Sequence, residues 1–151
     1  MENQIKIRTK SIGIEVIKLV DELPRKMSAW MISKQILRCS TSVGSNYRAA
    51  CRAKSDADFL NKLRIVEEES DETSYWLEIL EEAYLVEPFR IEKLKREVNE
   101  ITAIIVASQK TVQKKIRLKK REIDIYFTAM KRTSSPESLF QNRKSKIENS
   151  L

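Results

Sequence analysis

The residue types able to do chemistry in this 151-residue chain are carboxylates, cations and two thiols, for there is no histidine. Without imidazole, the usual general acid/base, the base of a nucleophile triad and the commonest metal ligand are all missing. The Glu-x-x-His pairing of di-iron bundles cannot be built either. The densest acidic run is Glu67-Glu68-Glu69-Ser70-Asp71-Glu72, where Glu68 and Glu72 share a helix face, and Glu97 and Glu100 form a second close pair. Carboxylates on facing helices can hold Mg²⁺, as in all-helical nucleotide pyrophosphohydrolases. Acidic helix faces are far more often solvated or paired with Lys and Arg. No glycine-rich phosphate loop and no nucleophile elbow is present. The expectation is therefore no metal, no cofactor and no enzyme. Cys39 and Cys51 lie on one predicted helix at a separation of about 18 Å, beyond disulfide reach. They read as free thiols of a reducing compartment, packed in the core.

Cations are the more informative group. The net charge is +7 and the isoelectric point about 9.4, a weak argument for a polyanionic partner. The charge is segregated: residues 1–54 carry +7, residues 55–87 carry −9 and residues 88–151 carry +9. Lys34, Arg38, Arg48 and Arg52 fall within about an 80° arc of the second helix, with Thr41 and Ser45 among them. Cations interleaved with hydroxyls suit phosphate oxygens; the alternative is that these cations pair with the acidic third helix. On the fourth helix Lys110, Lys114, Arg117 and Arg121 share about 60° of arc, and Lys115, Lys119 and Lys120 widen it. Seven cations in twelve residues repel one another unless a polyanion offsets them. The bland alternative is a helix end that welcomes cations, plus solubility. Aromatic interleaving is sparse, with only Tyr126 and Phe127 following. The pattern therefore predicts backbone contact with RNA or DNA and not base stacking.

The elements that must position these residues are helices. With two glycines and three prolines there are too few turn residues for a sandwich, a barrel or a doubly wound sheet. The first helix is predicted from about Ile5 to Leu23, ended by Pro24. The second starts near Ser28 as N-cap and reaches about Ala53, with Ile32, Ile36, Cys39, Val43, Asn46 and Ala50 as its seam. The third opens on Ser55-Asp56-Ala57-Asp58, a capping box with Asp in place of Glu, and keeps apolar spacing from Phe59 through Leu63, Val66, Ser70, Thr73, Leu77 and Leu80 to Tyr84. Pro88 suits the first turn of the fourth, where Ile91, Leu94, Val98, Ile101, Ile105, Ser108 and Val112 repeat the spacing. Short connections between four amphipathic helices imply an all-α, antiparallel up-down-up-down four-helix bundle.

Helix four is predicted to outrun its neighbours, Ile116, Ile123, Phe127 and Met130 keeping the register, as an arm or a subunit contact. The expected division is a bundle over residues 1–131 and a polar tail over 132–151, where Ser135-Pro136-Glu137 could cap one short helix. On helix three, Ile65, Trp76, Ile79 and Ala83 cluster beside the core seam. They read either as a widened core face or as a homo-oligomer interface. No signal peptide and no run of eighteen apolar residues is evident, so the protein is expected in the cytoplasm, away from membranes.

Three blocks carry a resemblance. Gln35-Ile36-Leu37-Arg38-Cys39-Ser40-Thr41-Ser42-Val43-Gly44-Ser45-Asn46 is the first. Ser55-Asp56-Ala57-Asp58-Phe59 with Lys62-Leu63 is the second, and Asp71-Glu72-Thr73-Ser74-Tyr75-Trp76-Leu77-Glu78-Ile79-Leu80 the third. In order and spacing they resemble the bacterial four-helix-bundle proteins encoded by intervening sequences of large-subunit ribosomal RNA genes, over roughly residues 8–120. That family is similar in fold to the accessory variability determinant of diversity-generating retroelements. The resemblance implies a ring, a homopentamer with a basic surface or channel, and nucleic-acid binding or an accessory role in place of catalysis. Arg38 stands within the family's own block. Arg48-Ala49-Ala50 departs from it, adding a cation where an acid is usual nearby, and nothing is inherited after about Arg121.

The expected function is thus a non-catalytic homo-oligomeric bundle that binds RNA or DNA by phosphate contacts through Lys34, Arg38, Arg48, Arg52, Lys110, Lys114, Arg117, Lys120 and Arg121. The alternative is an adaptor docking an acidic protein partner such as a reverse transcriptase or polymerase subunit. A Mg²⁺-dependent nucleotide hydrolase ranks third.

Overall fold

The computed structural model describes residues 2–133. Four helices follow one another: α1 (Glu2–Asp21), α2 (Met27–Ala50), α3 (Asp56–Glu82) and α4 (Pro88–Thr133). No strand occurs among the described residues, and the chain is an all-α four-helix bundle. Two compact units are distinguished, one ending at Gln113 and the other beginning at Lys114. The expected tail helix at Ser135-Pro136-Glu137 lies outside the described residues.

The first unit is built on the predicted seams. Ile12 and Val16 of α1, Ile36, Cys39 and Val43 of α2, Leu63, Val66, Leu77 and Leu80 of α3, and Ile91, Val98, Ile101 and Ile105 of α4 are all buried. Burying each such side chain contributes about 1.5–3 kcal/mol against leaving it in water. α2 presents a second buried face as well, through Ser40, Gly44 and Tyr47. Here α1 and α2 lie close enough that a Cβ on Gly44 would stand 3.3 Å from the Thr9 carbonyl oxygen. A Cβ on Gly13 would stand 3.4 Å from Thr41 Cγ2. The chain's only two glycines both serve this helix crossing.

Helix ends correct three expectations. α2 begins at Met27 with Lys26 as N-cap and no side-chain cap, so Ser28 sits inside the first turn. There the Trp30 N–H donates to the Lys26 carbonyl, and the chain reversal at Pro24 sets the start. α1 ends at Asp21, two residues before Leu23. Tyr84 is no seam residue: it has φ 55°, is 94% exposed, and follows the C-cap of α3. The Leu85 N–H donates to the Leu80 carbonyl at 3.0 Å, which closes a left-handed C-terminal turn. The Ser55 cap of α3 is as predicted, its hydroxyl accepting from the Asp58 N–H at 3.1 Å. The Asp58 carboxylate reaches back to the N–H of Lys54, not of Ser55.

Candidate nucleic-acid interface

α2 holds Lys34, Arg38 and Arg48 on its exposed side. The helix ends at Ala50 and not at the expected Ala53, so Arg52 stands in the turn beyond its Cys51 C-cap, and all four side chains face solvent. Their surroundings differ. Arg38 reaches α3, where it pairs with Glu72 and, at 3.4 Å, with Glu69. Glu72 also accepts from the Trp76 indole N–H at 3.2 Å. The Arg38 hydrogen bond holds the Glu72 carboxyl below its ordinary value and raises the guanidinium's own; burial instead pushes Glu69 up. Arg38 therefore fulfils the alternative reading of a cation matched to acidic α3. Lys34 sits over the Trp30 ring, its ammonium 3.6 Å from the centroid. Arg48 and Arg52 form no ion pair among the described residues. The hydroxyls between them already donate within the helix, Thr41 to the Leu37 carbonyl at 2.7 Å and Ser45 to that of Ser42 at 3.2 Å. A phosphate there would have to draw these protons away.

Lys110, in the first unit, is exposed. In the second unit Lys114, Arg117, Lys120 and Arg121 are all exposed. None of them pairs with a carboxylate among the described residues. Elsewhere cations are matched across elements. Arg8 of α1 grips Glu97 of α4 at 2.7 Å and Glu100 at 3.0 Å, Lys95 meets Glu81 at 2.6 Å, and Arg90 pairs with Glu22.

Of the acidic pairs considered for Mg²⁺, Glu97 and Glu100 are held by Arg8 and Glu72 by Arg38, while Glu68 is exposed. Among the described residues no group of three or more metal-ligating side chains converges. The thiols are not activated. Cys39 is buried and Cys51 half-buried, and burial pushes both above the ordinary thiol value. Cys51 lines a cleft of about 470 Å³ with Glu2, Tyr47 and Asp56, where burial pushes the Tyr47 phenol up to about 12. At neutral pH these groups stay protonated, a poor setting for nucleophilic attack.

The α3 stripe divides. Ile65 is 40% exposed and Ala83 is exposed, while Trp76 and Ile79 are half-buried. Trp76 packs against the core with its ring edge-to-face on Tyr75. One aromatic feature escaped the sequence reading altogether: Trp30, Met27 and Met31 form an exposed apolar face at the start of α2. Only its position beside Pro24-Arg25-Lys26 signalled it.

The profile of the 23S rRNA-intervening sequence proteins matches residues 1–107. The match stops short of the expected 120 and of Lys110, Lys114, Arg117, Lys120 and Arg121, but includes the whole α2 face. Among solved structures, the chain is similar to a protein of unknown function from the S23 ribosomal protein family of Bacteroides thetaiotaomicron, at 34% identity and a TM-score of 0.66. That likeness covers 70% of this chain and 98% of the other. No curated protein matches. No helix among the described residues is long and apolar enough to cross a membrane. On the matched length, the shared helical architecture and the identity, the chain belongs to the 23S rRNA-intervening sequence protein family.

Proposed function

We propose that this protein is a non-catalytic, homo-oligomeric helical bundle that binds RNA or DNA through phosphate contacts, as an accessory to a nucleic-acid process. One observation carries the reading: Lys114, Arg117, Lys120 and Arg121 are exposed and unmatched among the described residues, in a chain that pairs Arg8, Arg38, Arg90 and Lys95 with carboxylates across elements. Mutual repulsion among close cations is relieved when phosphates displace their counterions. The family's name, tied to ribosomal RNA, supports a nucleic-acid-related role. Arg48 and Arg52 serve as secondary contacts and Arg38 as a structural one. The α3 stripe of Ile65, Trp76, Ile79 and Ala83 is the proposed contact between copies, five being the number expected from the resemblance.

The test is a charge reversal. Arg117→Glu combined with Arg121→Glu should weaken binding to the same extent for every sequence tried. It should also flatten the slope of log K against log salt by about 2, near one unit per lost phosphate contact. Affinity unchanged by the double reversal would remove these residues from the interface.

A further inference from the structure

We propose that the groove at the α1–α2 junction accepts an unpaired nucleobase of a single strand, with Trp30 as its stacking face and Lys34, Arg25 and Lys26 as contacts for the flanking phosphates. The inference deepens the nucleic-acid reading and rests on it. Tryptophan is among the most highly buried side chains on average, yet Trp30 is 54% exposed. The other tryptophan, Trp76, packs on the core and donates its indole N–H to Glu72; Trp30 has neither task among the described residues. Its neighbours Met27 and Met31 are exposed too, so the ring stands in an apolar patch and not alone. The groove has a volume of about 680 Å³ and is lined by Leu23, Arg25, Lys26, Trp30 and Lys34, with Asp21 as its one acid.

The chemistry of this groove selects its occupant. An apolar peptide would have to bury three cations that form no ion pair among the described residues, with Asp21 as the groove's single carboxylate to offset the desolvation cost. A single strand supplies a π-face for the indole and a phosphate on either side of it, and stacking is indifferent to base identity. The Lys34 ammonium lies over one face of the indole, 3.6 Å from the ring centroid, so the base takes the other face and the cation is already held at the ring for a flanking phosphate. Trp30 also lies on the same side of α2 as Arg48, roughly 27 Å further along at 1.5 Å per residue. A strand anchored at Trp30 can follow that face. Duplex DNA keeps its bases stacked inside and cannot use the indole.

Three ligands of equal length separate the possibilities: a thymidine single strand, the same strand with abasic sites throughout, and a duplex. The wild type should bind the intact strand more tightly than the abasic one, with quenching of tryptophan fluorescence. Trp30→Ala should weaken the intact strand about tenfold, in line with the loss of one stacked base, and abolish the quenching. It should leave the abasic strand and the duplex unchanged, and Trp30→Phe should restore most of the loss. Equal binding of intact and abasic strands by the wild type, with no effect of Trp30→Ala, would overturn the inference while leaving phosphate binding intact. A groove that serves a protein partner gives that same result. Failure of all three ligands to bind at low salt would overturn the nucleic-acid reading itself.

Discussion

Arg8 ties the first helix to the last by a two-pronged grip on Glu97, Nε to Oε1 at 2.7 Å and Nη2 to Oε2 at 3.0 Å, with Glu100 on the same Nη2. The hydrogen bond from Arg8 outweighs burial and holds the Glu97 carboxyl below its ordinary value of 4.5. Because the folded value is the lower one, this stabilisation is complete above 4.5 and is lost as pH falls through the folded value. Arg8→Ala should lower stability at neutral pH by about 2 kcal/mol, the range for charged, partly buried hydrogen bonds. Urea midpoints should also fall less steeply below pH 4.5 in the variant than in the wild type. An equal acid slope in both would show that Glu97 owes its shift to something else. Ser70 presents the opposite case, a buried hydroxyl with no partner among the described residues. Ser70→Ala should raise stability by about 1 kcal/mol, read from the same denaturation curves. The sequence displayed Glu97 and Glu100 as a pair but not what holds them. Arg8 stands 89 residues away from Glu97, and no local spacing encodes that meeting.

At the scale of elements, the α1–α2 crossing turns on two small positions with unequal tolerance. A Cβ on Gly44 would meet backbone of α1 at 3.3–3.4 Å, which cannot swing aside, whereas at Gly13 the nearest atom is a side-chain methyl. Gly44→Leu should force the helices apart and cost about 1–3 kcal/mol, the usual range for overpacking. Gly13→Ala should instead be neutral or gain up to about 1 kcal/mol from helix propensity. Thermal unfolding of the two variants checks both signs. The repeating apolar spacing made all four helices and most of the core legible, since a seam such as Leu63, Val66, Ser70, Thr73, Leu77 and Leu80 can be buried on only one face. Tyr84 escaped because spacing alone does not reveal that the helix has already ended and that Tyr84 itself takes the left-handed conformation beyond its C-cap. The second buried face of α2 escaped because Ser40, Gly44 and Tyr47 are not a hydrophobic pattern; only the close approach of α1 makes them interior.

For the molecule as a whole, the balance of matched and unmatched charge separates structural cations from candidate ligand contacts. Arg38 looked in sequence like one of four equivalent cations on α2, yet acidic α3 claims it. Which of Lys34, Arg38, Arg48 and Arg52 stay available depended on helix packing, which segment charges alone could not resolve. The cations from Lys114 to Arg121 were fully legible as a run of seven in twelve residues counted from Lys110. Because α4 continues to Thr133, they lie inside the helix and not in its last turn, where the dipole would favour them. They lie beyond the residues matched by the family profile, so their role rests on their own charge and exposure.

The most direct measurement is the affinity of the intact protein, of oligomeric mass fixed by light scattering, for labelled RNA and DNA across a salt series. The account predicts micromolar or tighter binding at low salt, with log K falling linearly and steeply as log salt rises. Absence of binding at low salt, or binding indifferent to salt, would contradict it and return the basic residues of α2 and α4 to solubility alone.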